Sequence, residues 1–283
     1  MTHQKRIAAI HDISGFGKCS LTVALPIISA AGIEVAVMPT ALLSTHTGGF
    51  EGYTYRDLTE DMRPIAAHWK SLGIEFDAIY SGFLGSFEQI AIVRDFIESF
   101  RREGSVVLVD PAMADNGKMY PLFNMDFAKE MAGLCAKADI IVPNMTEAAF
   151  LLGEEYREKP YTKEYIEGLL KKLSAIGPVK VVLTGVMFDE NKLGAATYDG
   201  QTGEISYAFS AAIPGSYHGT GDIFASVMLA AYLNCKTLAQ SAQIAVDFTH
   251  GCIQRTKNAG TDVRYGVNFE AGLPKLINII FGE

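Results

Sequence analysis

His218-Gly219-Thr220-Gly221-Asp222-Ile223-Phe224-Ala225-Ser226 lies about three-quarters of the way along this 283-residue chain. Two glycines bracket a threonine, an aspartate follows, and the pattern predicts a small-residue apolar helix over 222–234. Glycines ahead of a helix let backbone N–H groups converge, and the helix start adds positive potential there. A phosphate in transfer suits such a place, and Asp222 in the same turn can take a proton from an attacking hydroxyl. Taken alone, the segment serves equally well as a packing turn with Asp222 as the helix cap.

Upstream of it, short apolar runs alternate with helical periods. Residues 7–10, 35–37, 78–80, 106–109, 140–142 and 179–183 read as strands buried on both faces of a mainly parallel sheet. Helices intervene, one over 19–31 that Gly32 stops, another through Ile90, Val93, Phe96, Ile97 and Phe100. Residues 194–198 and 205–209 flank a polar Gly-bearing turn and read as an antiparallel hairpin. Further helices are predicted over 237–256 and 268–280. The expected fold is α/β, a three-layer α/β/α sandwich on a mainly parallel central sheet, one domain over 1–283 with no large lid domain.

A net charge of −8 and the lack of a dense Lys/Arg stripe exclude a nucleic-acid surface. Cys19, Cys135, Cys235 and Cys252 are scattered without C-x-x-C spacing, which fits small buried side chains in a reducing compartment. The longest apolar stretch, 21–38, is broken by Pro26, Ser29, Gly32 and Glu34, so no membrane span is expected. The start of the chain leads straight into a strand, and the expected location is cytoplasmic.

In open α/β sheets ligands collect at the carboxyl ends of the strands. Each post-strand segment here is polar or glycine-bearing: 11–18, 44–49, 81–86, 110–120, 143–147 and 184–185. Gly15-Phe16-Gly17-Lys18 only superficially resembles a Walker A loop, because Asp12 and Cys19 stand where a glycine and a Ser/Thr are needed. Asp110 and Glu147 each follow a strand and suit Mg²⁺, which takes one or two carboxylates plus substrate phosphates. Asn144 can serve a phosphate or a metal-bound water; the plainer alternative is that it caps the helix carrying Glu147. His46 and Thr47 are suited to gripping a polar ligand, with a structural hydrogen-bonding role open for His46. Phe83 can stack on a planar ring or simply pack in the core. Residues 115–118 are expected to form a mobile flap over the phosphates.

As a set, these segments resemble a known family. Gly219-Thr220-Gly221-Asp222 resembles the anion-hole signature of the ribokinase-like superfamily. Ser44-Thr45-His46-Thr47, Ser81-Gly82-Phe83-Leu84-Gly85-Ser86, Asp110-Pro111-Ala112-Met113, Met119-Tyr120 and Pro143-Asn144-Met145-Thr146-Glu147 are similar to pyridoxal kinases, in the same order. The resemblance implies ATP-dependent phosphorylation of the 5′-hydroxyl of pyridoxal, pyridoxamine or pyridoxine, in a homodimer, with Mg²⁺ and a monovalent cation as candidate ions. It implies Asp222 as general base, Gly219, Thr220 and Gly221 as anion-hole amides, and Asp110 and Glu147 at the metal. Asn144 and Thr184 go with the nucleotide, together with Gly219 and Gly221, while Thr47 and Phe83 line the pyridine pocket.

Two positions depart from the family pattern. Asp12 stands where serine often meets the ring, so either Asp12 pairs with a protonated ring nitrogen or Ser14 takes the serine's place. Phe83 stands where tyrosine is usual. A carboxylate at a helix start is expected to have a lowered pKa, making Asp222 a weak base. Phosphoryl transfer tolerates that, because it depends on positioning more than on proton abstraction. The alternatives are a hydroxymethylpyrimidine kinase and a nucleotide-binding protein without turnover.

Overall fold

The computed structural model describes residues 3–282. Its strands are β1 (Arg6–Ser14), β2 (Glu34–Leu43), β3 (Tyr55–Asp57), β4 (Ala78–Ser81), β5 (Val106–Val109), β6 (Ala114–Asp115), β7 (Lys118–Met119), β8 (Ile140–Ile141), β9 (Lys180–Asp189), β10 (Lys192–Asp199) and β11 (Glu204–Ala211). The helices are α1 (Leu21–Ala30), α2 (Thr59–Ser71), α3 (Phe87–Phe100), α4 (Met125–Cys135), α5 (Met145–Leu151), α6 (Lys163–Ser174), α7 (Thr220–Leu233), α8 (Leu238–Ala259) and α9 (Leu273–Phe281). Nine strands form one sheet in the order β11-β10-β9-β8-β5-β4-β1-β2-β3. The central strands from β9 to β2 pair in parallel, while β3, β10 and β11 add antiparallel edges.

Alternation along β1 explains the layering. Ala8 and Ile10 enter one core, with Phe96, Phe127 and Leu170 from α3, α4 and α6. Ile7 and Ala9 enter the other, with Ile27, Val227 and Ala245 from α1, α7 and α8. Helices therefore cover both faces of the sheet, which is why its strands read as continuous apolar runs. The result is the three-layer sandwich of the ribokinase-like fold, without a large lid domain. No helix among the described residues is long and apolar enough to cross a membrane.

Four local expectations change. Residues 184–185 are not a post-strand loop. β9 runs through them as the antiparallel partner of β10, and Gly185, at φ 76°, absorbs a register shift. The helix predicted from residue 19 starts at Leu21, because Lys18 and Ser20 have positive φ. The last helix begins instead with a 3-10 turn, Glu270–Gly272, ahead of α9.

Finally, residues 115–118, expected as a mobile loop over the phosphates, are a hairpin between β6 and β7. Asn116 and Gly117 both have positive φ, as a two-residue hairpin turn requires. The Gly117 N–H donates to Thr146 Oγ1 at 2.9 Å, tying the hairpin to α5.

Candidate active site

The Gly219 turn is built by close approach. Gly219 sits in the left-handed region at φ 76°, and a Cβ there would lie 2.1 Å from the Lys18 carbonyl oxygen. Only glycine fits. Gly221 has open space where a Cβ would project, so the turn's backbone stays approachable. Thr220 Oγ1 donates to the Tyr217 carbonyl at 3.1 Å. The first-turn N–H groups of α7, which lack helical partners, are left to meet a ligand.

Asp222 lies in that first turn, with the Ser20 N–H donating toward its carboxylate. Its pKa is nevertheless pushed up to about 6 by burial, with the charge of Asp12 adding to the effect. This reverses the lowered value expected from the helix start: desolvation and a second carboxylate outweigh the helix N–H groups. Asp12 itself is buried at the end of β1 and accepts from Ser14 Oγ at 3.0 Å. Burial raises its pKa against the opposing hydrogen bonds from Ser20 and Ser14.

A second carboxylate pair lies at the ends of β5 and β8. Glu147 Oε2 accepts from the Asn144 N–H at 2.8 Å and Oε1 from the Met113 N–H at 3.1 Å. Asn144 Oδ1 accepts in turn from the N–H groups of Thr146 and Glu147, so the capping alternative for Asn144 is the one found. Its Nδ2 donates to the Ala114 carbonyl at 2.8 Å. Burial pushes Glu147 up to about 8 and holds Asp110 well above the carboxylate range, with Glu147 and Asp222 raising Asp110 further. Among the described residues no Lys or Arg is seen offsetting Asp12, Asp110, Glu147 or Asp222.

Among the described residues no three His, Cys, Asp or Glu side chains converge as a complete metal cluster. Two uncompensated buried carboxylates do fit a Mg²⁺ whose remaining ligands are phosphate oxygens and water.

The other expected residues fall around this centre. His46 is buried with both nitrogens engaged: Nδ1 accepts from the Gly48 N–H at 3.0 Å, and Nε2 donates to the Arg264 carbonyl at 2.6 Å. That is the structural role left open for it. Thr47 is exposed beside it. Phe83 is half-buried with its ring 5.6 Å from Phe123, on the edge of an aromatic file that continues to Phe127. Thr184 bridges Asn144 across the sheet, its Oγ1 a long 3.4 Å from the Pro143 carbonyl. Asp12, Ser14, Asp110, Glu147 and the Gly219–Asp222 turn thus share the carboxyl edge of the sheet. A surface groove around His3, Arg6, Glu75 and Arg102 lies at the opposite edge and holds none of them.

Three participants carry no strong signal in sequence. Tyr120 is partly exposed, yet its phenol is held protonated by burial and by the carboxylates of Glu147, Asp115, Asp110 and Asp222. Only its place beside Met119 in the family pattern marked it. Ser20 and His218 owe their positions to folding: Ser20 reaches both Asp12 and Asp222, and the His218 ring lies tilted 4.9 Å from that of His46.

The family model described as phosphomethylpyrimidine kinase matches residues 25–267. A Bacteroides thetaiotaomicron protein assigned to the phosphomethylpyrimidine kinases, crystallised with pyridoxal, is 41% identical with a TM-score of 0.93. That alignment covers 97% of this chain and 96% of the other. Pyridoxal kinase from Lactobacillus plantarum is 31% identical with a TM-score of 0.90, covering 98% of each chain. A Schizosaccharomyces pombe relative assigned to the pyridoxal kinases is 27% identical over 207 residues, covering 70% of this chain but only 59% of its own length.

Proposed function

The chain belongs to the phosphomethylpyrimidine kinase family, and on that footing we propose that it phosphorylates the hydroxymethyl group of a six-membered nitrogen heterocycle. It is an ATP-dependent kinase of the ribokinase superfamily acting on a small vitamin-like molecule. The observation that carries the proposal is Asp222 in the first turn of α7, directly after Gly219–Gly221, with its charge acting on Asp110. Asp222 orients the acceptor hydroxyl and takes its proton as the new P–O bond forms. The turn's amides stabilise the charge on the transferred group, a contribution of about 10²–10³ in rate for one such donor. Asp110 and Glu147 would hold Mg²⁺, which would supply positive charge to neutralise the phosphates. Asn144 and Thr184 shape the nucleotide side.

Two acceptors fall within this class. Hydroxymethylpyrimidine, the alternative weighed from the sequence, is supported by the matching family model's own description. Pyridoxal and its amine and alcohol forms, the first reading from the sequence, are supported by the pyridoxal held in the 41% identical relative. Asp12 suits both, since a buried carboxyl can pair with a ring N–H or with an aminopyrimidine edge.

A coupled ADP-release assay with Mg-ATP tests the proposal, run on pyridoxal, pyridoxamine, pyridoxine, hydroxymethylpyrimidine and ribose. Turnover on one of the heterocycles and not on ribose is expected. Turnover on ribose alone, or on none of the five, rejects it.

A further inference from the structure

His218 precedes the Gly219 turn by one residue and is held on several sides. Its ring lies 4.9 Å from that of His46, which is itself fixed through both nitrogens. A Cβ on Gly48 would come within 2.5 Å of His218 Cε1 and Nδ1, so the β2–β3 loop leaves room for this ring through a glycine. The charge of Asp115 in the β6–β7 hairpin also acts on this imidazole. The imidazole is half-buried, and among the described residues no hydrogen bond claims either of its nitrogens.

The surroundings leave few side-chain donors for an incoming polyphosphate. Asp12, Asp110, Glu147 and Asp222 are buried at this edge of the sheet, and among the described residues no Lys or Arg is seen shifting them. Two nearby cations are committed elsewhere. Lys18 Nζ donates to Asn268 Oδ1 at 3.2 Å and to Glu270 Oε2 at 3.1 Å, and the Arg264 guanidinium is paired with Asp262 at 2.6 Å. An oriented ring with unused donor capacity, beside an anion-binding turn, is preorganised for developing charge.

We infer that His218 is a further catalytic residue whose imidazole N–H donates to the phosphoryl group as it passes from ATP to the acceptor hydroxyl. In that step the bond from Pγ to the ADP oxygen breaks, a bond to the hydroxymethyl oxygen forms, the proton goes to Asp222 and ADP leaves. The inference rests on the kinase reading above.

The test compares His218→Ala with wild type under Mg-ATP and the preferred heterocycle. We expect kcat to fall by about 10²-fold, as for loss of one preorganised donor, with KM for ATP changed by less than about threefold. Free imidazole should restore part of kcat in His218→Ala, and His218→Asn, which keeps an N–H donor, should lie between the two. Wild-type kcat in His218→Ala overturns the inference. So does a loss accompanied by a lowered Tm that neither imidazole nor His218→Asn relieves, because that marks a packing role. Absence of turnover in the wild-type protein on every acceptor would instead reject the kinase reading itself.

Discussion

At the scale of single residues, the chemistry depends on carboxylates packed close together in little water. Asp222 titrates at about 6, and the form that accepts a proton is the carboxylate. Activity measured as kcat/KM should therefore rise with pH through about 6 and level off above it. A flat profile between pH 5 and 7, about a unit either side, would contradict that. Asp12→Asn should retain phosphoryl transfer but reorder the acceptors, read as the ratio of kcat/KM values for pyridoxal and hydroxymethylpyrimidine. An unchanged ratio would remove Asp12 from the acceptor site. The sequence named Asp12, Asp110, Glu147 and Asp222 individually, because each follows a strand or opens a helix. It misjudged the sign of the Asp222 shift, since the burial that dominates it, and the Asp12 charge that adds to it, come from segments distant along the chain. His218, quoted ahead of the Gly219 turn, carries no role in the sequence reading for the same reason: its neighbours, His46 and Gly48, belong to a distant loop.

At the scale of elements, the site depends on caps and turns. Asn144 caps α5, exchanges hydrogen bonds with Glu147 and ties down Ala114 at the start of the β6–β7 hairpin. Asn144→Ala should cost about 1–2 kcal/mol, as loss of an N-cap does, and lower Tm by about 2–4 °C in a chain of this size. A Tm equal to wild type by calorimetry would show that the cap contributes nothing. Elements were legible wherever one period dominated. Residues 106–109 are wholly apolar and form β5 with those bounds. The Gly-bearing turn between 198 and 205 joins β10 to β11, as predicted. The failures fall where a glycine has two meanings. Gly185 reads as a strand end but is an irregularity inside β9, and Gly117 reads as a hinge but completes a hairpin packed under Tyr156.

At the scale of the whole molecule, the clustered acids link folding to pH and to ligand. Asp12, Asp110, Glu147 and Asp222 all keep their protons to higher pH than in an unfolded chain. A carboxyl raised in this way contributes stability that is full below its unfolded pKa and is lost as pH rises through its folded pKa. With Asp222 at about 6 and Glu147 at about 8, Tm of the ligand-free protein should fall as pH rises from about 4 to 8. Asp77 and Asp262 are lowered by their hydrogen bonds and act in the opposite sense, but in a window below about 4. Mg-ATP should restore the lost stability, since it binds the folded state and not the unfolded one. A Tm that does not fall across that range would contradict the clustering.

The measurement that tests the account most directly is single-turnover transfer of labelled γ-phosphate from Mg-ATP to the preferred heterocycle, by wild type and by Asp222→Asn. The account predicts label on the hydroxymethyl oxygen with wild type. It predicts a loss of at least about 10²-fold in the variant, with ATP affinity nearly unchanged. Equal transfer by the two proteins would contradict it.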